Sequence, residues 1–426
     1  MSAPRTLAFA SNMVKSRLPA NVDLSVSLST SERLHLIDQA ASVVAEAVRA
    51  ERRFAATGCK PDKKLWKTVR SREDFQFYKS TKESRRASMM GTPSMTSWSS
   101  DDDENGVVAS VKDPNVPMLM ACSKLQGTIE DALFATFAGD ELAWRERAAY
   151  AKDKFADSRF LATLQEPTPE KPFQYIVIKW LTKEQPPIVG SFVQHRDFLI
   201  VEANGYGIDE AGVPYGYHLV HSVTIPSIPE FTELSIIRSQ VSLCLINRQL
   251  TKDTFRTFCR GFSDPRGALL ETIAVNHTAD TISGTMNTTE ASYTKKLVWM
   301  LQQARQQRER DNTFLVSQRG GNNSCTGCQK QGSKLSTCQV CAQGVCSRCT
   351  VMRRIIVDVT RDGVTEHTLP FCLSCFLAAK NRSAKEVASA RCVQRLNQHQ
   401  ASKARTQSAT DEASVRPSKD GVVLYS

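Results

Sequence analysis

The chain has 426 residues, 41% hydrophobic and 23% charged, and a formal net charge of +11. That is the composition of a globular protein of two or three domains, at roughly 150 residues per domain. No apolar run reaches the ~18 residues needed to cross a bilayer, and no apolar core of a secretory signal opens the chain. Without a signal, the thirteen cysteines are expected to be reduced thiols, and paired spacing then favours metal over disulfides.

The opening stretch, "MSAPRTLAFASNMVKSRL", is basic and serine-bearing, with no acid before Asp23. A mitochondrial presequence has that composition, but a flexible terminus over residues 1–30 is the simpler expectation. From Ser31 to Phe54 the period is helical. Leu34, Ile37, Ala41, Val44 and Val48 form the apolar stripe, and Thr30 or Ser31 can cap the start. "FQFYKS" (Phe75 to Ser80) reads as a strand. Thr81 to Gly106 is rich in Ser, Thr and acid without a period, the signature of a disordered loop. Its "RRAS" places Ser88 two residues after a basic pair, as in sites of basic-directed kinases.

"VVASV" and "VPMLMACS" read as strands. "TIEDALFATFAGDELAWRERAAYAKDKF" reads as two short helices broken at Gly139, the second capped by Asp140. Then come "SRFLATLQ", "FQYIVIKWLT", "VQHRDFLIVEANG", "YGYHLVHSVTI", "LSIIRSQVSLCLI" and "LLETIAVNH". They are long, consecutive and separated by Gly/Pro/Asp turns, which predicts an antiparallel meander. In "FQYIVIKWL", Phe173, Tyr175, Val177 and Leu181 point one way, and Ile176, Ile178 and Trp180 the other. Two apolar faces call for a second layer or a sheet curved around an apolar cavity. A last helix spans Glu290 to Arg310, with Tyr293, Leu297, Met300 or Leu301, and Ala304 on its apolar side.

The element order and the string from His195 to Val223, "HRDFLIVEANGYGIDEAGVPYGYHLVHSV", resemble the START lipid-transfer domains over residues 31–310. The resemblance implies an α+β helix-grip fold: an antiparallel sheet curled around a long C-terminal helix, with a lipid ligand between them. The loop over 81–106 is a departure that the family does not require.

Cys325, Cys328, Cys338, Cys341, Cys346, Cys349, Cys372 and Cys375 form four C-x2-C pairs, separated by nine, four and twenty-two residues. A two-residue gap aims two thiolates at one ion, and two such knuckles complete a tetrahedral shell of four thiolates. Eight ligands mean two zinc ions with no open position for a catalytic water, so the sites are structural and the chain is expected not to be an enzyme. Few large apolar residues surround them, chiefly Leu335, Val340, the strand Ile355 to Val359, Leu369 and Phe371, too thin a core to fold alone. Asp362-Gly363 signals a hairpin in the long gap, and "FLAAKNRSAKEVASARCVQRL" after it reads as a helix.

This spacing resembles the FYVE zinc finger, over residues 320–380. Its cross-brace implies that Cys325, Cys328, Cys346 and Cys349 share one zinc, and Cys338, Cys341, Cys372 and Cys375 the other; spacing by itself leaves sequential pairing open. START followed by a FYVE-type finger resembles an arrangement of oomycete and other protist proteins. It implies a cytoplasmic zinc-binding adaptor, peripheral to endosomal membranes, with a lipid ligand in the START-like part and a phosphoinositide membrane or a protein as the finger's partner. Three motifs depart from that pattern. "SKLSTC" carries only Lys334 where lipid-binding fingers have several Arg and His, "LVSQRGGNNSC" lacks the tryptophan, and "PFC" replaces "RVC". Headgroup recognition needs several such cations. Arg348, Arg353 and Arg354 are the remaining candidates for an anionic patch. A cross-braced octet also serves RING-type fingers that recruit ubiquitin-conjugating enzymes, although those usually include histidine.

Residues 381–426 are expected to form a helix and then a basic disordered tail. From Phe376 onward there are nine Lys/Arg against four Asp/Glu, and no nucleic-acid partner is expected on that basis alone. Cys59, Cys122, Cys244, Cys259 and Cys392 read as scattered core or idle thiols, and His218 and His221 as residues on opposite strand faces.

Overall fold

The computed structural model describes residues 18–398 except 20–21, 73, 90–105, 154, 184–193, 287–288, 312–323, 333 and 361–362. Its first long element, α1 (Thr30–Ala56), opens with Ser29 as N-cap, in a reciprocal capping box with Glu32. The cap therefore lies just ahead of the expected Thr30 or Ser31, because the acid three residues on can close the box only from Ser29. The stripe is also rotated. Leu36, Ala40, Val43, Val44, Ala47, Val48 and Phe54 are buried, while Leu34 is exposed.

A continuous antiparallel sheet follows the order β1-β2-β3-β10-β9-β7-β6-β5-β4. Its strands are β1 (Trp66–Arg72), β2 (Phe75–Ser80), β3 (Leu119–Gln126), β4 (Phe155–Gln165), β5 (Tyr175–Lys183), β6 (His195–Ile208), β7 (Pro214–Ser222), β9 (Gln240–Thr251) and β10 (Thr254–Asp264). The short β8 (Ile236–Arg238) pairs parallel to β6. Both faces of β5 are buried. Ile176, Ile178 and Trp180 join α1 in one apolar cluster, and Tyr175, Val177 and Leu181 join a second on the opposite face. The second apolar face thus has its own layer.

Helices α4 (Ile129–Thr136) and α5 (Glu141–Ala151) cover one end of that second face. Asp140 caps α5, its carboxylate accepting from Ala143 N at 2.7 Å. Gly216 of β7 admits α4, since a Cβ there would come within 2.6 Å of Ile129. The rest of the face lies under α6 (Glu271–Met286), through Val275, Ala279 and Ile282. This is a helix-grip α+β fold, but the gripped helix is α6. The "LLETIAVNH" stretch expected as a strand is its first half. The expected grip helix, α7 (Thr289–Arg310), instead runs between α4 and the cysteine-rich segment. "VVASV" is likewise helical, as α3 (Val107–Val111). The loop expected over 81–106 begins with helix α2 (Lys82–Met89); most of the remainder, and the side chain of Ser88, lie outside the described residues.

The cysteine-rich segment holds two small antiparallel pairs, β11 (Ser336–Thr337) with β12 (Gly344–Val345), and β13 (Thr350–Val359) with β14 (Val364–Cys372). The second pair is the expected hairpin, although Asp362 lies outside the described residues. The helix expected after it is two helices, α8 (Leu373–Asn381) and α9 (residues 384–398). Ser383 starts the second, its Oγ accepting from Glu386 N at 3.2 Å. A side chain that competes for backbone donors in this way restarts a helix rather than continuing it.

Candidate metal centre and inner sheet face

The thiols gather as two tetrads: Cys325, Cys328, Cys346 and Cys349, and Cys338, Cys341, Cys372 and Cys375, each with all sulfurs within 4.8 Å of one another. Pairs one and three meet, as do pairs two and four, which is the interleaved arrangement. The first two pairs are built alike. Gln329 N donates to Cys325 O at 2.8 Å and Ala342 N to Cys338 O at 2.9 Å, and both donors follow the second cysteine in left-handed conformation, at φ 59° and 61°. Each turn folds its C-x2-C so that both sulfurs face inward.

Sulfur spacing tests the fit to a metal. A tetrahedral shell with Zn–S near ~2.3 Å sets sulfurs about 3.8 Å apart, whereas a disulfide needs about 2.05 Å. Cys328 Sγ lies 3.8 Å from Cys346 Sγ, and Cys341 Sγ lies 3.9 Å from Cys372 Sγ. The donor set suits zinc, and each tetrad can hold one ion. Backbone N–H groups, first that of Cys346 and then those of Cys328 and Gly327, pull the Cys325 thiol down to about 6. Such donors favour thiolates, the form that binds metal. Gly327 belongs to the site as well: a Cβ there would sit 3.1 Å from Cys349 Sγ.

The finger shares its core with the domain before it. Leu297, Val298 and Leu301 of α7 cluster with Cys325, Cys338, Val345, Ile355, Phe371 and Ala379. Arg308 of α7 donates to Gln339 O at 3.2 Å and Val340 O at 3.0 Å, inside the second knuckle. The buried Lys296 donates to Lys380 O and Arg382 O at 2.8 and 2.9 Å, satisfying the end of α8, and to Asp131 of α4 at 2.8 Å. On the far side, α9 sets Val387 and Ala388 against Leu133 and Phe134. Its Arg391 meets buried Glu146 at 3.0 Å, and its Arg395 meets Asp140 at 2.6 Å.

The candidate anionic patch is largely occupied. Arg353 pairs with Glu290 at 3.4 Å and stacks on Phe376, and Arg354 pairs with Glu366 at 3.1 Å. Leu335, the one large apolar residue of the "QKQGSKL" loop, packs into the finger core beside Gly344.

On the inner sheet face the structure places a charged group that sequence reasoning missed. Glu202 of β6 accepts from Arg147 at 2.8 and 3.1 Å, from Lys179 at 2.9 Å and from Tyr175 at 2.6 Å. Burial pushes Lys179 down to about 7, although Glu202 opposes the shift. Burial takes neighbouring His218 to about 4, and its Nδ1 has no hydrogen-bond partner among the described residues. Beyond this cluster the face turns apolar under α6, with Leu181, Phe198, Ile200, Val220, Val241 and Leu243. Phe198 and Val220 stay partly exposed although they sit mid-sheet. A lysine inside "IVIKWL" was the available signal, but its partners lie on other elements.

The remaining candidates lie elsewhere. His221 faces α1, between Gln39 at 3.1 Å and Ser242 at 2.9 Å, opposite to His218. Cys244 and Cys259 are core thiols on opposite faces.

No family model matches the chain, and no curated protein matches it. Among solved structures it is similar to human STARD10, at 10% identity and TM-score 0.34, over 56% of this chain and 79% of that one. It is also similar to human StAR-related lipid transfer protein 5, at 12% and 0.35, over 58% and 95%. A third is a STAR-related lipid transfer protein from Xanthomonas axonopodis, at 14% and 0.32, over 53% and 97%.

Proposed function

We propose that the chain is a non-enzymatic zinc-binding adaptor. Cys325, Cys328, Cys346 and Cys349 hold one structural zinc, and Cys338, Cys341, Cys372 and Cys375 a second. The observation that carries this reading is the pair of interleaved tetrads whose sulfurs stand 3.8 and 3.9 Å apart. With four thiolates around each ion no coordination position is left for water or substrate, so the metal's contribution is rigidity.

The helix-grip domain binds one lipid-class ligand between β5–β10 and α6. The partly exposed Phe198 and Val220 are the candidate contacts for its apolar part, and His218 Nδ1, without a hydrogen-bond partner among the described residues, is the candidate contact for a polar head. The Glu202 carboxylate is already fully engaged and closes that end. The finger is a platform for a protein or membrane partner. Its inward-turned Leu335 and its paired Arg353 and Arg354 favour a protein partner over insertion into a phosphoinositide bilayer.

Native mass spectrometry of the purified full chain tests the core of this reading. Two zinc ions and one co-purified lipid per chain are expected, and a chain without zinc overturns it. Sedimentation with liposomes, with and without phosphatidylinositol 3-phosphate, tests the partner. Equal and negligible binding is expected; selective sedimentation would make the finger a membrane anchor.

A further inference from the structure

Two of the cysteines outside the finger are not isolated. Helix α1 ends at Ala56, and the chain turns sharply, with Gly58 N donating to Ala55 O at 3.0 Å and Cys59 N to Phe54 O at 3.1 Å. Cys59 adopts φ 60°, a left-handed conformation that a non-glycine residue rarely takes. The turn lays its thiol against the sheet. There it shares a sheet face with Cys122, which sits mid-strand in β3 between Gln76 and Phe258 and is a diagonal neighbour of Arg256. Both sulfurs border the cluster of Phe54, Tyr78, Met120 and Phe258, and both side chains remain partly exposed. Arg256 of β10 donates from Nη1 to Cys59 Sγ at 3.4 Å. Glu51 holds that guanidinium through Nη2 at 2.5 Å and is itself held by Arg248 at 3.0 Å. The array is a thiol with a fixed cation on one side and a second thiol on the other.

We propose that Cys59 and Cys122 are a peroxide-reactive dithiol, with Cys59 as the attacking thiolate and Cys122 as the resolving thiol, and that their disulfide staples the end of α1 to β3. The Cys59 thiolate attacks one oxygen of a hydroperoxide. The O–O bond breaks, hydroxide or alkoxide leaves and takes up a proton, and Cys59 becomes a sulfenic acid. The Cys122 sulfur then attacks Cys59 Sγ. The S–O bond breaks, and the departing hydroxide leaves as water with the Cys122 proton. The two thiols lose two electrons and the peroxide gains them. The electrostatics agree with the roles: the neighbouring Cys122 thiol and then Arg256, opposed by burial and Glu51, bring Cys59 down to about 6, whereas its hydrogen bond to Cys59 and its burial raise Cys122. The link closes a loop long enough to stabilise the domain by restricting the unfolded chain.

The test treats the zinc-loaded full chain with one equivalent of hydrogen peroxide, then maps peptides by mass spectrometry without reduction while zinc release is followed by indicator dye. The expected result is a Cys59–Cys122 linked peptide that forms before zinc is released. In Cys122→Ser the sulfenic acid persists, and dimedone labels Cys59; in Cys59→Ser, Cys122 stays unmodified. Arg256→Met slows Cys59 oxidation about five-fold at neutral pH, and Arg256→Lys restores it. Oxidation of the finger cysteines with zinc release, while Cys59 and Cys122 remain open to alkylation, would overturn the assignment.

Discussion

The sheet domain and the finger reach rigidity by different physics. The domain buries two apolar layers, with Trp180, Ile178 and Leu199 under α1, and Val177, Ile200 and Leu243 on the opposite face. Such a core is distributed, and any one side chain of it is worth a few kcal/mol. The finger buries little beyond Val345, Ile355, Phe371 and Ala379, and it borrows Leu297 and Leu301 from α7. On the proposed zinc reading its order is concentrated in two four-sulfur shells. Concentrated order is lost all at once.

The largest expected effect breaks this comparison outright. A structural zinc is worth on the order of 10–16 kcal/mol of apparent binding energy in finger peptides. Exhaustive chelation should therefore unfold residues 324–381 while the large sheet persists. Amide exchange should show protection lost in β13 and β14 and kept in β5 and β6. Uniform loss across both regions would mean that α7 transmits the collapse into the domain. Cys338→Ser should give the same local outcome, because Cys338 is buried within the second shell.

Next comes the charged cluster of the inner face. Glu202→Ala leaves Lys179 and Arg147 buried without their anion, at a cost of about 3–5 kcal/mol. Denaturant unfolding should register that loss, while native mass spectrometry still counts two zinc ions. A stability change below about 1 kcal/mol would show the cluster to be open to water.

Protonation comes third. His218 and His221 both have folded pKa values near 4, driven down first by burial. A depressed folded value means that the unfolded chain takes up the proton first. The stabilisation is complete above about pH 6.5 and is lost as pH falls from there toward 4, by at most about 3 kcal/mol for each group. On the proposed zinc reading the finger should be acid-sensitive too, but by thiolate protonation with release of metal. His221→Gln should flatten the acid limb for the sheet domain and leave the pH of zinc release unchanged.

Sequence pattern revealed these two regions unequally. The two faces of β5, the Asp140 cap and the four C-x2-C pairs are local signals at fixed spacing, and each was readable. Helix α6 was not. Its Thr and Asn side chains bond back to backbone carbonyls, Thr278 to Ala274 and Asn276 to Thr272, a habit of weak helix formers. Only packing of Val275, Ala279 and Ile282 on the sheet makes that stretch helical, and packing partners far away in the chain leave no periodic trace. The same holds for Lys179, Lys295 and Lys296, which look solvent-exposed until their distant partners Glu202, Glu146 and Asp131 are folded against them.

The seam between the regions gives a smaller effect. Arg308 of α7 holds two carbonyls of the second knuckle, a charged hydrogen-bond contribution of about 1.5–3 kcal/mol. Arg308→Met should weaken zinc retention in a chelator competition at the tetrad of Cys338 and spare the tetrad of Cys325, which Arg308 does not touch. Equal weakening of both would mean that the two shells act as one unit.

The smallest effect is a gain. Ala342 closes the second knuckle at φ 61°, where a Cβ is unfavourable, and it must stay there for its N–H to reach Cys338 O. Glycine adopts that conformation without the clash but gives the unfolded chain more freedom, so the two terms partly cancel. Ala342→Gly should strengthen zinc retention by about 0.5–1 kcal/mol in the same competition, with unfolding of the sheet domain unchanged. The paired control is Gln329→Gly in the first knuckle, at φ 59° and with the same bond pattern, for which a matching gain is expected. A loss at both positions would mean that the left-handed turn is set by the metal shell itself and that its strain is not stored at these residues.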